Sequence, residues 1–129
     1  MTIGMPAVTG DVMTSAMFNG LVAFTLNAQT GTTYTAVAAD QYQVLVTMNN
    51  ASANTFNIPT DATYAFPNGT AITILQIGVG VTTIQATTPG TTTVTSAGAT
   101  SASPVLARYK AAVAVKTGTN AWTVIGAVA

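Results

Sequence analysis

The stretch FPNGTAITILQIGVGVTTI, residues 66–84, contains the clearest fold signal in the chain. It opens on a Pro-Asn-Gly turn, continues as an apolar run at residues 71–77, reverses at the Gly-Val-Gly of residues 78–80 and returns at residues 81–84. Two strand-like runs joined by a short glycine link predict a β-hairpin. The stretch contains no charged residue, histidine or cysteine, so it predicts structure and no chemistry.

A second hairpin is predicted near the C-terminus. Residues 108–116 alternate with a period of two, residues 117–120 form a Gly-containing turn, and residues 121–125 return. The alternation puts the apolar Ala111, Val113 and Val115 on the inward face of the first strand. Its other face carries the three cations of the chain, Arg108, Lys110 and Lys116.

This row of cations has two interpretations. A charged strand face is most often exposed to solvent, where it limits edge-to-edge association. In the second interpretation this face contacts acidic residues of a partner protein, which makes Arg108, Lys110 and Lys116 candidate partner-facing cations.

Upstream of the central stretch, the chain alternates short strand patterns with turns. Residues 34–37, 42–48 and 55–58 read as strands, and residues 49–54 are rich in Asn and Ser, which favour turns. Residues 27–33 read as a polar linker. Together these patterns predict an all-β domain over residues 27–129, an antiparallel β-sandwich of jelly-roll-like type.

Residues 1–26 differ in composition and are predicted to form an N-terminal attachment arm. They contain four of the five methionines, and Thr14 is placed to cap a short helix over residues 15–24. One apolar face of that helix either covers the end of the β-domain or docks on another protein, because methionine fits irregular grooves. The docking candidates are Met13, Met17, Phe18, Leu21 and Val22.

Charge is scarce throughout the chain. Charged residues make up 5% of 129 residues, whereas soluble domains average roughly 25%. A monomer of 13.0 kDa exposes roughly 6,300 Å², and the mean hydropathy is +0.48. The surface is therefore either neutral and rich in Thr, Ser, Asn and Gln, or buried between subunits. We expect an obligate oligomer.

The composition also argues against several classes of partner and reaction. A net charge of +0 disfavours nucleic acid and anionic membranes, and no signal peptide or long apolar span is evident. The absence of His, Cys and Glu rules out the common catalytic triads and thiolate metal sites. Asp11, Asp40 and Asp61 are far apart in sequence, so we predict no enzyme, no catalytic residue, no cofactor and no metal site.

Four motifs, in this order and spacing, resemble a β-domain in structural proteins of tailed bacteriophages. They are Phe66-Pro67-x-Gly69-Thr70, Gln76-Ile77-Gly78-x-Gly80-x-Thr82, Arg108-Tyr109-x-Ala111 and Lys116-Thr117-x-Thr119-Asn120-x-Trp122. The likeness covers residues 30–128. Residues 11–22 also resemble the attachment segments that precede such domains.

The resemblance implies a homotrimer attached to a virion. The first expectation is a capsid decoration (cement) or head fibre protein that binds the major capsid protein of a phage, on the capsid exterior, after assembly in the host cytoplasm. The alternative is a tail fibre or tail tip module that contacts host glycans. Exposed aromatic residues would favour that alternative, and the candidates are Tyr34, Tyr42, Tyr64, Tyr109 and Trp122.

Overall fold

The computed structural model of the chain describes residues 24–129, and these residues form β-strands in two mixed sheets. The all-β prediction is confirmed. The only helical turn among the described residues is a short 3₁₀ segment, Ala38–Gln41. The strands are β1 Thr25–Gln29, β2 Thr33–Thr35, β3 Val44–Met48, β4 Asn54–Ile58, β5 Ala71–Gln76, β6 Thr82–Ala86, β7 Thr93–Ser96, β8 Val105–Leu106, β9 Ala111–Gly118 and β10 Ala121–Gly126.

The first six strands alternate between the two sheets. The six-stranded sheet has the order β1-β3-β5-β9-β10-β7, and the four-stranded sheet has the order β2-β4-β6-β8. The pairs β1–β3, β3–β5, β2–β4 and β4–β6 are all parallel. The predicted antiparallel, jelly-roll-like arrangement is therefore wrong. From β1 to β6, each connection takes the chain to the other sheet, so consecutive strands do not form antiparallel pairs.

The central stretch is a corner between the sheets and not a hairpin. β5 lies in the six-stranded sheet and β6 lies in the four-stranded sheet. A Cβ at Gly78 would lie 2.5 Å from the backbone nitrogen of Asn50, and a Cβ at Gly80 would lie closer still to the carbonyl oxygen of Ser52. The two glycines are needed because this corner stacks directly on the corner before it, between β3 and β4.

Hydrogen bonds hold the stacked corners together. The Gly80 amide donates to Asn50 O at 2.9 Å, and the Asn50 side-chain amide donates to Thr30 O, in the preceding corner, at 2.8 Å. Inside the corner, the buried Gln76 side chain donates to Gly80 O and accepts from the Gly78 amide at 2.5 Å. A side chain that satisfies two backbone groups in this way makes the corner a fixed element.

One hydrophobic core receives side chains from both sheets. β3 and β5 contribute residues such as Val46 and Ile74, and β4 and β6 contribute Phe56 and Ile84, all fully buried. Trp122 of β10 packs edge-on against Phe66, with ring centroids 5.4 Å apart. Both sheets therefore contribute to one core.

The C-terminal hairpin is confirmed, but its faces are the reverse of those predicted. β9 and β10 pair antiparallel, and Lys116 of β9 pairs with Trp122 of β10. Ala112, Ala114 and Lys116 are buried, whereas Val113 and Val115 are only half-buried. The hydrophobic pattern of β9 predicts the wrong inward face, because the outward side chains of this strand are the more apolar ones.

The N-terminal boundary differs from the expected one. β1 begins at Thr25, so Thr25 and Leu26 of the predicted arm and residues 27–29 of the predicted linker belong to a strand. The predicted helix over residues 15–24 lies outside the described residues except for Phe24, and all five docking candidates lie outside them too. Among the described residues, no helix has the length and apolarity that crossing a membrane requires.

Candidate functional site

A buried ion pair joins β9 to the connection between β4 and β5. The Lys116 ammonium lies 2.7 Å from Asp61 Oδ1, and the lysine side chain is 2% exposed. The same ammonium donates to Phe66 O at 2.9 Å and lies 5.9 Å from the centre of the Trp122 ring. A buried ammonium needs such partners because its desolvation is costly.

Asn120 completes this cluster from the turn between β9 and β10. Its backbone amide donates to Asp61 Oδ2 at 3.2 Å, and its side-chain Oδ1 accepts from the Asp61 backbone amide at 2.8 Å. Asn120 has φ of 48°, a left-handed conformation that asparagine tolerates better than most residues. The cluster therefore clamps the turn of the hairpin onto the β4–β5 connection.

The pKa of Asp61 is lowered from its ordinary value of 3.8, first by the hydrogen bond from Lys116 and then by the Asn120 amide and the lysine charge. A carboxyl with a lowered folded pKa stabilises the fold above its unfolded pKa and loses that contribution as pH falls through the folded pKa. We expect the urea midpoint to fall as pH decreases from about 5 through 3. An Asp61→Asn variant should show a shallower fall, and equal pH slopes for the two proteins would contradict this role.

A second buried carboxylate, Asp40, organises the start of the domain. It is 1% exposed and accepts hydrogen bonds from the Tyr34 hydroxyl at 2.5 Å, the Val37 amide at 3.0 Å and the Asn27 side-chain amide at 3.0 Å. Burial, and then the hydrogen bond and negative charge of Asp40, raise the pKa of Tyr34. These contacts tie β1, β2 and the 3₁₀ segment Ala38–Gln41 together.

Neither carboxylate is arranged for acid–base chemistry. Asp61 is paired with a lysine, and Asp40 is surrounded by hydrogen-bond donors, so each oxygen already has a structural partner. In residues 24–129, no group of three or more His, Cys, Asp or Glu residues is placed to hold a metal ion. Both carboxylates therefore hold strand connections in place.

The three predicted partner-facing cations are not on one face. Arg108 and Lys110 are exposed in the turn that precedes β9, whereas Lys116 is buried in the ion pair. The expected solvent-facing row is therefore wrong for Lys116. The Arg108 guanidinium lies over the Tyr109 ring, 4.7 Å from its centre, and Tyr109 has a φ of 64°.

The five aromatic candidates for glycan contact are also dispersed. Trp122 is buried, and Tyr34 and Tyr64 pack against the core. Tyr42 and Tyr109 are 70% and 69% exposed. They lie at opposite ends of the six-stranded sheet. Tyr42 precedes the first residue of β3, whereas the Tyr109 amide donates to the carbonyl oxygen of Gln76, the last residue of β5, and these two strands run parallel.

Neither buried cluster is predicted by the sequence patterns. Asp61 and Lys116 are 55 residues apart, and no spacing rule joins them. One signal was present: Lys116 and Trp122 face each other across a hairpin that the sequence did predict, and Trp122 faces the core.

The chain matches no protein-family model, and no curated protein or solved structure is significantly similar to it.

Proposed function

We propose that this chain is a non-enzymatic structural protein of a tailed bacteriophage virion, a homotrimer that decorates the capsid exterior or forms a head fibre. The observation that carries the proposal is the lack of surface charge. Among the charged side chains of residues 24–129, Asp40 and Lys116 are buried and Asp61 is 20% exposed in the ion pair, which leaves Arg108 and Lys110 as the exposed ones. A surface this neutral suits close packing between subunits.

The positions of the motif residues support a structural role. Gly78 and Gly80 stack one corner on another, and Lys116, Asn120 and Trp122 form or border the buried cluster. The residues that resemble the phage β-domain are thus residues that shape the fold. Because both sheets contribute to one core, we infer that they pack face to face as a sandwich, with no bound cofactor, nucleic acid or membrane in the function.

Attachment to the major capsid protein is assigned to residues 1–26, on the strength of their methionine-rich composition and apolar candidates. Three arms in one trimer would act together, because binding of the first raises the effective concentration of the others. The protein would be present in the host cytoplasm during assembly and on the capsid exterior afterwards.

The test is co-sedimentation with undecorated capsids of the phage that encodes the chain. A double variant, Phe18→Asp with Leu21→Asp, should lose at least about tenfold in apparent affinity, since two apolar side chains would no longer be buried. Point substitutions are preferable to a deletion of residues 1–26, which would remove part of β1.

A control is Thr83→Asp, at a half-buried position on the outward face of the four-stranded sheet, which should bind as the wild type does. Cryo-electron microscopy of the decorated capsid should then show threefold density on its exterior. A double variant that decorates capsids normally would contradict the attachment role, and wild-type protein that never sediments with capsids would contradict the proposed function.

The second candidate is a tail tip module that contacts host glycans. The observation in its favour is the exposed Tyr109, held under the Arg108 guanidinium in a left-handed conformation unusual for a bulky residue. A ring and a cation together can contact a sugar. Capsid decoration remains the stronger proposal because Tyr109 and Tyr42 do not share a surface.

A further inference from the structure

The outer face of the six-stranded sheet is apolar. We call it the apolar sheet face and define it as the side chains of that sheet that alternate with the core residues. One row crosses five adjacent strands in register: Leu26, Leu45, Thr73, Val113 and Ile125. Leu75 and Val115 flank this row, and the other positions are alanine or threonine. No position of the apolar sheet face carries a charge.

The outer face of the four-stranded sheet is the internal comparison. Its first row is Thr33, Thr55, Thr83 and Val105, and its second row is Thr35, Asn57 and Gln85, so valine is the one apolar residue among these seven. A sheet face in contact with water is normally polar where the opposite face is apolar. The four-stranded sheet follows that rule and the six-stranded sheet does not, so the two outer faces are suited to different surroundings.

The size of the apolar sheet face follows from strand geometry. Strands lie about 4.8 Å apart and rise about 3.3 Å per residue, so five strands of five or six residues give roughly 400 Å² in projection. Leu26 and Ile125, at its two sides, are 63% and 56% exposed in the isolated chain. The largest apolar patch of a monomeric protein is typically about 300–600 Å² and is often functional, so a charge-free face of this size is a candidate interface.

We infer that the apolar sheet face is the surface by which copies of this chain assemble, each copy turning the same face toward a common threefold axis. This inference rests on the proposed homotrimer and adds where the subunits meet. Three sheets around an axis bury three identical faces at once, and the closed ring leaves none exposed. The polar outer face of the four-stranded sheet would then form the outside of the trimer.

A second copy fits this face better than other partners do. The absence of charge removes the pairing that would select a charged partner protein or a polyanion. The projected area of roughly 400 Å² becomes a larger accessible surface once the pleated side chains are counted, and the low end of a standard interface is about 600 Å² of accessible surface per partner. The chain's own residues 1–23, which precede Phe24, are the competing occupant, and the test separates the two.

The test compares two lysine substitutions by light scattering. Val113→Lys places a charge at the centre of the apolar sheet face, and Thr83→Lys places the same charge at the centre of the polar face. We expect wild type and Thr83→Lys to have three times the mass of the 13.0 kDa chain, and Val113→Lys to be a folded monomer. A Val113→Lys trimer would overturn the interface and leave the proposed trimer standing, whereas a monomeric wild type would overturn both.

A second measurement covers a Val113→Lys variant that does not fold. The chain has no cysteine, so Val113→Cys and Thr83→Cys each introduce a single thiol. In native trimer, maleimide should label position 113 at least tenfold more slowly than position 83, and the protection should disappear on dilution to monomer. Equal labelling rates would overturn the interface. Protection that persists in the monomer would assign the face to residues 1–23 and overturn assembly through it.

Discussion

Substituting Gly80 by alanine should lower the stability of this protein more than a glycine-to-alanine substitution at any other corner. The new Cβ would overlap the carbonyl of Ser52 and would lie 2.9 Å from the Ala53 nitrogen. Both are backbone atoms of the stacked corner, so neither can rotate away. Overpacking of this kind costs about 1–3 kcal/mol, which corresponds to a fall of roughly 5–10 °C in Tm.

Gly90→Ala is the matched control. A Cβ at Gly90 has no atom within 4 Å, and the residue does not have a positive φ. The same substitution there should be neutral or should stabilise by up to about 1 kcal/mol, because alanine restricts the unfolded chain. Both Tm values should be measured at one protein concentration, since assembly adds to apparent stability. Equal Tm values for the two variants would mean that the corners do not stack as described.

Removing the Asp61 carboxylate should also lower the free energy of unfolding by a large amount. In Asp61→Ala the Lys116 ammonium stays buried and keeps Phe66 O as its remaining hydrogen-bond acceptor. An uncompensated buried charge costs about 3–5 kcal/mol. The free energy of unfolding from urea titration at pH 7 is the quantity to measure.

A double variant separates the charge from the packing. Asp61→Ala combined with Lys116→Met replaces the ammonium with an apolar side chain of similar length, so most of the loss should be recovered. The double-mutant cycle then gives the coupling between the two residues. If the double variant were less stable than Asp61→Ala, the buried ammonium would not be the source of the loss.

Local patterns in the sequence predict the strands well. Residues 71–77 became β5, and the turn at residues 117–120 joins β9 to β10 as expected. Both depend on short-range signals, namely β-branched runs and turn residues, which determine backbone conformation within a few positions.

Long-range arrangement was not predictable from the same signals. A Gly-x-Gly between two strands is compatible with a hairpin and with a corner between sheets, and only the contact with Asn50 decides between them. A recurrence was present, because Leu45 pairs with Thr73 and Asn54 with Thr82, both 28 positions apart. Its residues are too different for the repeat to stand out.

The reversed faces of β9 have a physical explanation. Period-two alternation defines two faces but does not say which one meets the core. Val113 and Val115 look like core residues because they are apolar, but they lie half-buried on the outward face, which a second subunit would cover in the proposed trimer. Lys116 looked exposed, although Asp61 and Phe66 provide it with buried partners.

The central claim is that this charge-poor β-domain is a building block that assembles as a homotrimer. Multi-angle light scattering of the wild-type chain after size exclusion, over a range of micromolar concentrations, tests it most directly. The account predicts a single species with three times the mass of the 13.0 kDa chain. A species of 13.0 kDa at every concentration would contradict it.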